Sequence, residues 1–190
     1  MRSFKKLGDD GQTDLLYGGR ILKSSLRVEA YGTVDEAVSA IGIARALTGD
    51  EKIRSILLKI QRELFTIGAE LATEPSEYDK LVKRFGQTTP SMVKAIEETI
   101  EAYEETTEMP SGFVVPGANA VSSHLDLARA IVRRAERRSV ELREKQGLVN
   151  EQVLRYLNRL ADLLFLLARA EERGATTLLR EPQVHDQQIQ

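Results

Sequence analysis

Five arginines form the densest set of reactive groups in the chain. Arg129, Arg133 and Arg137 recur at i, i+4 and i+8, so on a helix they make one guanidinium ridge, with Arg134 and Arg138 on the neighbouring face and Glu136 among them. A planar guanidinium can grip phosphate or carboxylate oxygens through two parallel N–H bonds, which suits a triphosphate clamp; the same spacing also makes an ordinary salt-bridged surface. A second group opens the chain. Lys6-Leu7-Gly8-Asp9-Asp10-Gly11-Gln12-Thr13, Gly18-Gly19-Arg20 and Lys23 combine free backbone N–H groups, a hydroxyl and cations, the materials of a phosphate cradle or of a solvated arm. There is no Walker A loop and no GxGxxG fingerprint, so ordinary nucleotide folds are disfavoured. Asn158 and Asp162 stand one turn apart in an apolar stretch, where they either bind a ligand or lock helix packing, because a buried polar group without a partner costs ~1–3 kcal/mol. Asp35 is placed to sit near the positive end of a helix or to pair with an arginine elsewhere.

Other chemistries are excluded by count and spacing. With no cysteine there is no disulfide, thiol nucleophile, Cys-ligated zinc or iron–sulfur cluster. The two histidines, His124 and His185, fit no metal-ligand spacing, which predicts no metal held by protein side chains, and His124 reads as a helix-packing residue. Ser122, Ser123, His124 and Asp126 are too close in sequence to converge as a triad. Twenty-seven Lys+Arg against 29 Asp+Glu, a net charge of −2, argue against a nucleic-acid partner. The start of the chain has positive charge but no apolar region behind it, and no apolar run reaches the ~18 residues that span a bilayer, so a cytoplasmic location without membrane contact is expected.

These residues need a scaffold, and 190 residues with 42% hydrophobic side chains suffice for a single domain with its own core. Hydrophobic spacing predicts an all-α chain of about five amphipathic helices after a glycine-rich opening segment, residues 1–29. Thr33 and Glu36 form a capping box that starts the first helix at Thr33. The second opens near Asp50 and stops before Pro75; residues 75–88 read as a connection. Thr89-Pro90 starts the third, whose Glu97, Glu98, Glu101, Glu104 and Glu105 read as a solvated face. Residues 109–117 read as a rigid loop, and helices follow at about 119–144 and 150–173, the last apolar around most of its circumference. The tail from Arg180 is polar and expected to fray.

Five ordered motifs resemble a known family. Gly8-Asp9-Asp10-Gly11-Gln12-Thr13, Glu29-Ala-Tyr-Gly-Thr-Val-Asp35-Glu36, Phe113-Val-Val-Pro116-Gly117, Arg133-Arg-Ala-Glu-Arg137 and Tyr156-Leu-Asn-Arg-Leu-Ala-Asp162 resemble the PduO-type ATP:cob(I)alamin adenosyltransferases from about Phe4 to Arg173. The resemblance implies a five-helix bundle with a long amino-terminal nucleotide-binding loop. It further implies a homotrimer with ATP and corrinoid in clefts between subunits, and Mg²⁺ carried on the ATP phosphates. By similarity, Lys6, Leu7, Gly8, Asp9, Gly11, Gln12, Thr13 and Lys23 wrap ATP, completed by Arg133, Arg134, Glu136, Arg137 and Asn158. Asp35 resembles the intersubunit partner of Arg129; Phe113, with Val114 beside it, matches the aromatic that closes the lower face of the corrin. The implied reaction makes adenosylcobalamin and triphosphate, with a reductase and an adenosylcobalamin-dependent client enzyme as partners; a non-catalytic sensor or carrier on the same fold is the alternative. The chain departs from the family pattern at Lys5 and Leu7, where many members have threonines, and at Ala118, where a second glycine often stands.

Overall fold

A computed structural model of the chain describes residues 8–179. Its elements run β1 (Gln12–Asp14), β2 (Arg20–Leu22), α1 (Leu26–Leu47), α2 (Glu51–Leu71), α3 (Tyr78–Phe85), α4 (Pro90–Glu104), β3 (Val114–Val115), α5 (Ala120–Gln146), α6 (Gln152–Glu172) and β4 (Thr177–Leu178). The described residues are thus mostly helical, with six α-helices and two short antiparallel strand pairs, the β1–β2 hairpin and the long-range pair β3–β4.

The first helix starts at Ser25, not at Thr33. Ser25 Oγ accepts from Val28 N at 3.4 Å, and the Thr33 hydroxyl, a full turn and more inside, donates to the Glu29 carbonyl at 2.7 Å. A capping box needs Thr33 to leave helical angles, but Ala30, Val34, Ala37, Ile41 and Ala44 form one buried stripe through that position, and breaking it would expose its amino-terminal end. The opening segment is correspondingly shorter and contains a hairpin, with Gln12 paired to Leu22 and Asp14 to Arg20. Residues 75–88 are likewise not a plain connection: a single 3₁₀ turn at Pro75–Glu77 leads into α3, which buries Leu81. The expected cap at Thr89 is present, and Asp50 and Asn119, at the expected starts of their helices, also cap them, each accepting from backbone N–H groups of the following turn.

Helix α1 packs on α2 and α5, α5 on α6, and α6 on α4, which sets the spatial order α2, α1, α5, α6, α4. Leu157, Leu160, Leu164 and Leu167 of α6 are fully buried, as expected for a helix apolar on most sides; each such side chain stabilises the fold by ~1.5–3 kcal/mol. Polar braces hold the connections. Arg27 is buried and donates to the carbonyls of Leu71 (2.9 Å) and Thr73 (2.7 Å), closing the carboxyl end of α2. Glu70, also buried, accepts from Thr88 N (2.6 Å), Thr88 Oγ1 (2.5 Å), Tyr78 OH (2.6 Å) and Asn150 Nδ2 (2.8 Å), tying α2 to α3 and to the loop before α6. Glu70→Ala orphans several donors at once and is expected to destabilise the protein by at least ~3 kcal/mol; a urea midpoint within error of the parent's would refute that brace.

Tyr103 contributes to an alkaline limit of the fold, alongside Tyr78 and Tyr156, whose phenols are also pushed up by burial and a neighbouring glutamate. Burial, then the carboxylates of Asp50 and Glu171, push the Tyr103 phenol up to about 12. Above pH ~10 the unfolded chain releases this proton while the folded chain keeps it, so the contribution to stability is complete below pH ~10 and is lost as pH rises through about 12. Tyr103→Phe is therefore expected to flatten the fall of Tm across that window, and a Tm profile as steep as the parent's would contradict the assignment.

Candidate functional site

The hairpin β1–β2 shapes the amino-terminal half of the candidate site. Lys23 folds back over it, donating from Nζ to the Gly8 carbonyl at 2.7 Å, while Lys23 N donates to the Gly11 carbonyl at 2.9 Å. A Cβ on Gly8 would meet Lys23 Nζ at 2.9 Å, and Gly11 needs its positive φ of 79° to make the turn. Asp10 accepts from Gln12 N at 3.1 Å and pairs with Arg20 at 3.1 Å; the backbone N–H of Gln12 above all, then the Arg20 cation, holds its carboxyl below the usual range. Asp9 is exposed, and Gln12 and Thr13 are half-buried. Lys6 and Leu7, with Lys5, lie outside the described residues.

Asp35 lies close by, exposed on α1, where it lines a mostly apolar groove of about 410 Å³ with Leu16, Tyr31, Phe65 and Phe85. The groove lies largely between α1 and α2, on one flank of the helix order.

The arginines divide between two flanks. Arg134 pairs with Glu36, and Arg138 reaches Glu29 at 3.5 Å and Glu141 at 3.1 Å, so this face of α5 is stitched to α1. The ridge itself behaves differently. Arg137 donates from Nη1 to the Arg133 carbonyl at 3.1 Å, Arg133 is exposed, and neither forms an ion pair among the described residues; Glu136 between them forms none either. Arg129 continues the ridge and stands 5.3 Å from the Phe165 ring, in a cavity of about 260 Å³ with Ile100, Glu104, Met109 and Asp162. Asn158 and Asp162 both point outward, so neither locks packing within the chain; Asn158 lines a neighbouring cavity of about 330 Å³ with Glu97, Arg155 and Arg159. Glu97 is not purely solvated, since it accepts from Arg159 Nε at 2.9 Å.

Phe113 is the most exposed large apolar side chain described, at 84%. Its loop is not free: Val114 pairs with Leu178, Val115 with Thr177, and Leu179 N donates to the Phe113 carbonyl at 2.8 Å. His124 is half-buried. Its Nδ1 lies 2.6 Å from the Ala120 carbonyl on the outer face of α5, because Leu125 and Ala128 take the buried positions there.

One chain therefore gathers the expected groups into two sets without joining them. Gly8–Thr13, Lys23 and Asp35 lie on the α1/α2 flank, and Arg129, Arg133, Arg137 and Asn158 on the α5/α6/α4 flank. Hydrophobic spacing in the sequence does not signal the apolar groove. Phe65 and Phe85 carried no periodic signal of exposure, but Phe165 stands four residues before Arg169, a spacing that juxtaposes ring and guanidinium on a helix.

The family model of cobalamin adenosyltransferases matches residues 3–171. The chain belongs to the cobalamin adenosyltransferase family. It is 45% identical over 175 residues to a corrinoid adenosyltransferase of Bacillus subtilis, covering 89% of this chain and 86% of that one. A corrinoid adenosyltransferase of Citrobacter freundii is 39% identical over 171 residues, covering 90% and 95%. The chain spans about half, 53%, of the PduO relative from Salmonella typhimurium. Among solved structures, a phenylalanine-to-alanine variant of the PduO-type ATP:corrinoid adenosyltransferase from Lactobacillus reuteri, complexed with cobalamin and ATP, superposes with a TM-score of 0.84 at 32% identity. It covers 94% of this chain and 99% of that one. An arginine-to-lysine variant from the same organism, complexed with ATP, gives 0.83 at 32% identity over 93% and 99%. The mostly helical cobalamin adenosyltransferase fold seen here matches these PduO-type structures, and no helix of the described residues is long and apolar enough to cross a membrane.

Proposed function

We propose that the chain transfers the 5′-deoxyadenosyl group of ATP to the cobalt of cob(I)alamin, giving adenosylcobalamin and triphosphate. The observation that carries this reading is its likeness, over 94% of its length, to a PduO-type enzyme holding both ATP and cobalamin. The exposed cations and the glycine-rich opening segment suit the chemistry. Co(I) is itself a strong nucleophile and needs no general base. Its electron pair forms the Co–C bond at C5′ of ATP as the C5′–O bond breaks, and the triphosphate leaves with that bond's electrons. Catalysis then consists of positioning the two substrates and stabilising charge on the departing oxygens.

Arg133 and Arg137, exposed and without ion pairs among the described residues, bind the triphosphate, with Arg134, Glu136 and Asn158 completing that half. Gly8, Asp9, Gly11, Gln12, Thr13 and Lys23 wrap the nucleotide, together with Lys6 and Leu7. Phe113 and Val114 close the lower face of the corrin and keep water and the dimethylbenzimidazole base from the cobalt, which favours four-coordinate Co(II) and eases its reduction.

That the two sets share no hydrogen bond or ion pair among the described residues supports a site built between copies. In a homotrimer of chains, each a single domain bundled on its five long helices, Asp35 of one copy meets Arg129 of the next. A closed ring of head-to-tail contacts is the symmetry such an arrangement requires. Among the described residues no three His, Asp or Glu side chains converge as a metal cage. Mg²⁺ would arrive on the ATP phosphates and would supply charge neutralisation there. A cytoplasmic enzyme of this kind receives its electron from a reductase and passes its product to an adenosylcobalamin-dependent client.

The test is anaerobic incubation with ATP, Mg²⁺ and chemically reduced cobalamin, following loss of the Co(I) spectrum while triphosphate is assayed. Stoichiometric adenosylcobalamin and triphosphate are expected. Binding of ATP and cobalamin without either product would overturn the reading and favour a sensor or carrier.

A further inference from the structure

Phe165 is an aromatic ring shared by two guanidiniums. Arg129 stands 5.3 Å and Arg169 4.7 Å from its centroid, measured from each guanidinium carbon. Two like charges on one ring repel each other unless one is neutralised. Arg169 is: it is 2% exposed, and its Nη2 donates to Asp126 at 2.6 Å and to Glu172 at 2.9 Å, both carboxylates also buried. One cation against two carboxylates leaves this buried trio with a net negative charge, which draws the remaining cation, Arg129, toward the ring rather than away from it. The Nε and Nη1 donors of Arg169 meet no hydrogen-bond acceptor among the described residues. Glu104 and Asp162 line the same cavity, yet neither comes within ion-pair distance of Arg129 among the described residues.

We infer that Phe165, backed by the Arg169–Asp126–Glu172 trio, is the positioning platform for Arg129, holding its guanidinium over the ring for the pairing with Asp35 of the next copy that the proposed function gives it. This rests on the proposed reaction for its consequence, but not for its geometry. A free arginine samples many rotamers; a guanidinium stacked over a ring in a walled cavity has lost that freedom before the partner arrives, so pairing with Asp35 is less opposed by entropy. The trio reaches further. Glu172 also accepts from Thr176 Oγ1 at 2.6 Å, one residue before β4, the strand that pairs with β3 beside Phe113. The same buried hub therefore braces the base of the strand holding the Phe113 loop.

The test is a double-mutant cycle in adenosyl transfer. Phe165→Leu keeps an apolar side chain and removes the ring face; it is expected to lower kcat/KM about tenfold for the corrinoid while the KM for ATP stays within about twofold. In an Arg129→Ala background the same change is expected to cost less than twofold, and Phe165→Tyr, which keeps the ring, is expected to retain most activity. Equal losses in both backgrounds, or a tyrosine variant as damaged as the leucine one, would overturn the platform. Arg169 is left unchanged because removing it would strand two buried carboxylates. If the parent protein itself forms no adenosylcobalamin, the proposed reaction fails while the platform stays readable. The Arg129 Nε–H resonance, assigned by its loss in Arg129→Lys, carries a ring-current shift that disappears in Phe165→Leu; an unchanged resonance overturns the inference without reference to turnover.

Discussion

Arg133→Ala is expected to lower kcat for adenosyl transfer by about 10²- to 10³-fold, the effect of removing one preorganised donor from developing negative charge. The charge on the triphosphate oxygens grows as the C5′–O bond breaks, so the loss falls more on kcat than on the KM for ATP. The protein should remain folded. Arg133 is exposed and forms no ion pair among the described residues, so Tm should move little, unlike for Arg134, whose pairing with Glu36 joins α5 to α1. Arg133→Lys keeps the charge but loses the planar fork and is expected to fall between the two. A Co(I)-trapping assay checks this, and near-parental turnover in the alanine variant would remove the clamp from the account.

Phe113→Ala separates reduction from transfer. With its ring 84% exposed on a loop pinned by β4, Phe113 has no folding role that its loss would reveal. Its removal opens the lower corrin face to water or the base, so turnover starting from Co(II) and a reductase should fall about 10²-fold, equivalent to ~2.7 kcal/mol of lost preference for the ligand-free cobalt. ATP binding should persist, and cobalamin already reduced to Co(I) should react far more nearly at the parental rate. The visible and EPR spectra of bound Co(II) supply the check, and a four-coordinate signal as strong as the parent's would contradict the assigned role.

The long helices were legible in the sequence because burial there follows a 3.6-residue period and caps carry their own side-chain signature. Asp50, Thr89 and Asn119 each stand where a polar oxygen meets the first free N–H groups. Thr33 misled because a capping box is a local pattern, and a continuous buried stripe from Ala30 to Ala44 overrode it. The short helix α3 escaped notice because a two-turn helix buries only Leu81. The strand pairs escaped for another reason: strands of two or three residues contain no alternation to read. The arginine ridge was visible as spacing, but spacing could not say that Arg134 and Arg138 are bound to α1 while Arg133 forms no ion pair among the described residues. Nor could it distinguish Asn158 as an outward group from a packing lock, since on a helix apolar around most of its circumference either position is open. The division of the site between flanks appears only once the helix order is known.

That division leads to the most direct measurement, subunit complementation. One variant carries Lys23→Ala with Asp35→Ala, damaging the α1/α2 half; the other carries Arg133→Ala, damaging the α5 half. Each alone should be nearly inactive. Co-expressed in equal amounts, the two chains assemble at random, and about one in four head-to-tail contacts then joins an intact half of each kind, so activity should recover to roughly a quarter of the parental value. A mixture no more active than the average of the two variants, in particles shown to contain both chains, would contradict a site shared between copies and return it to a single chain.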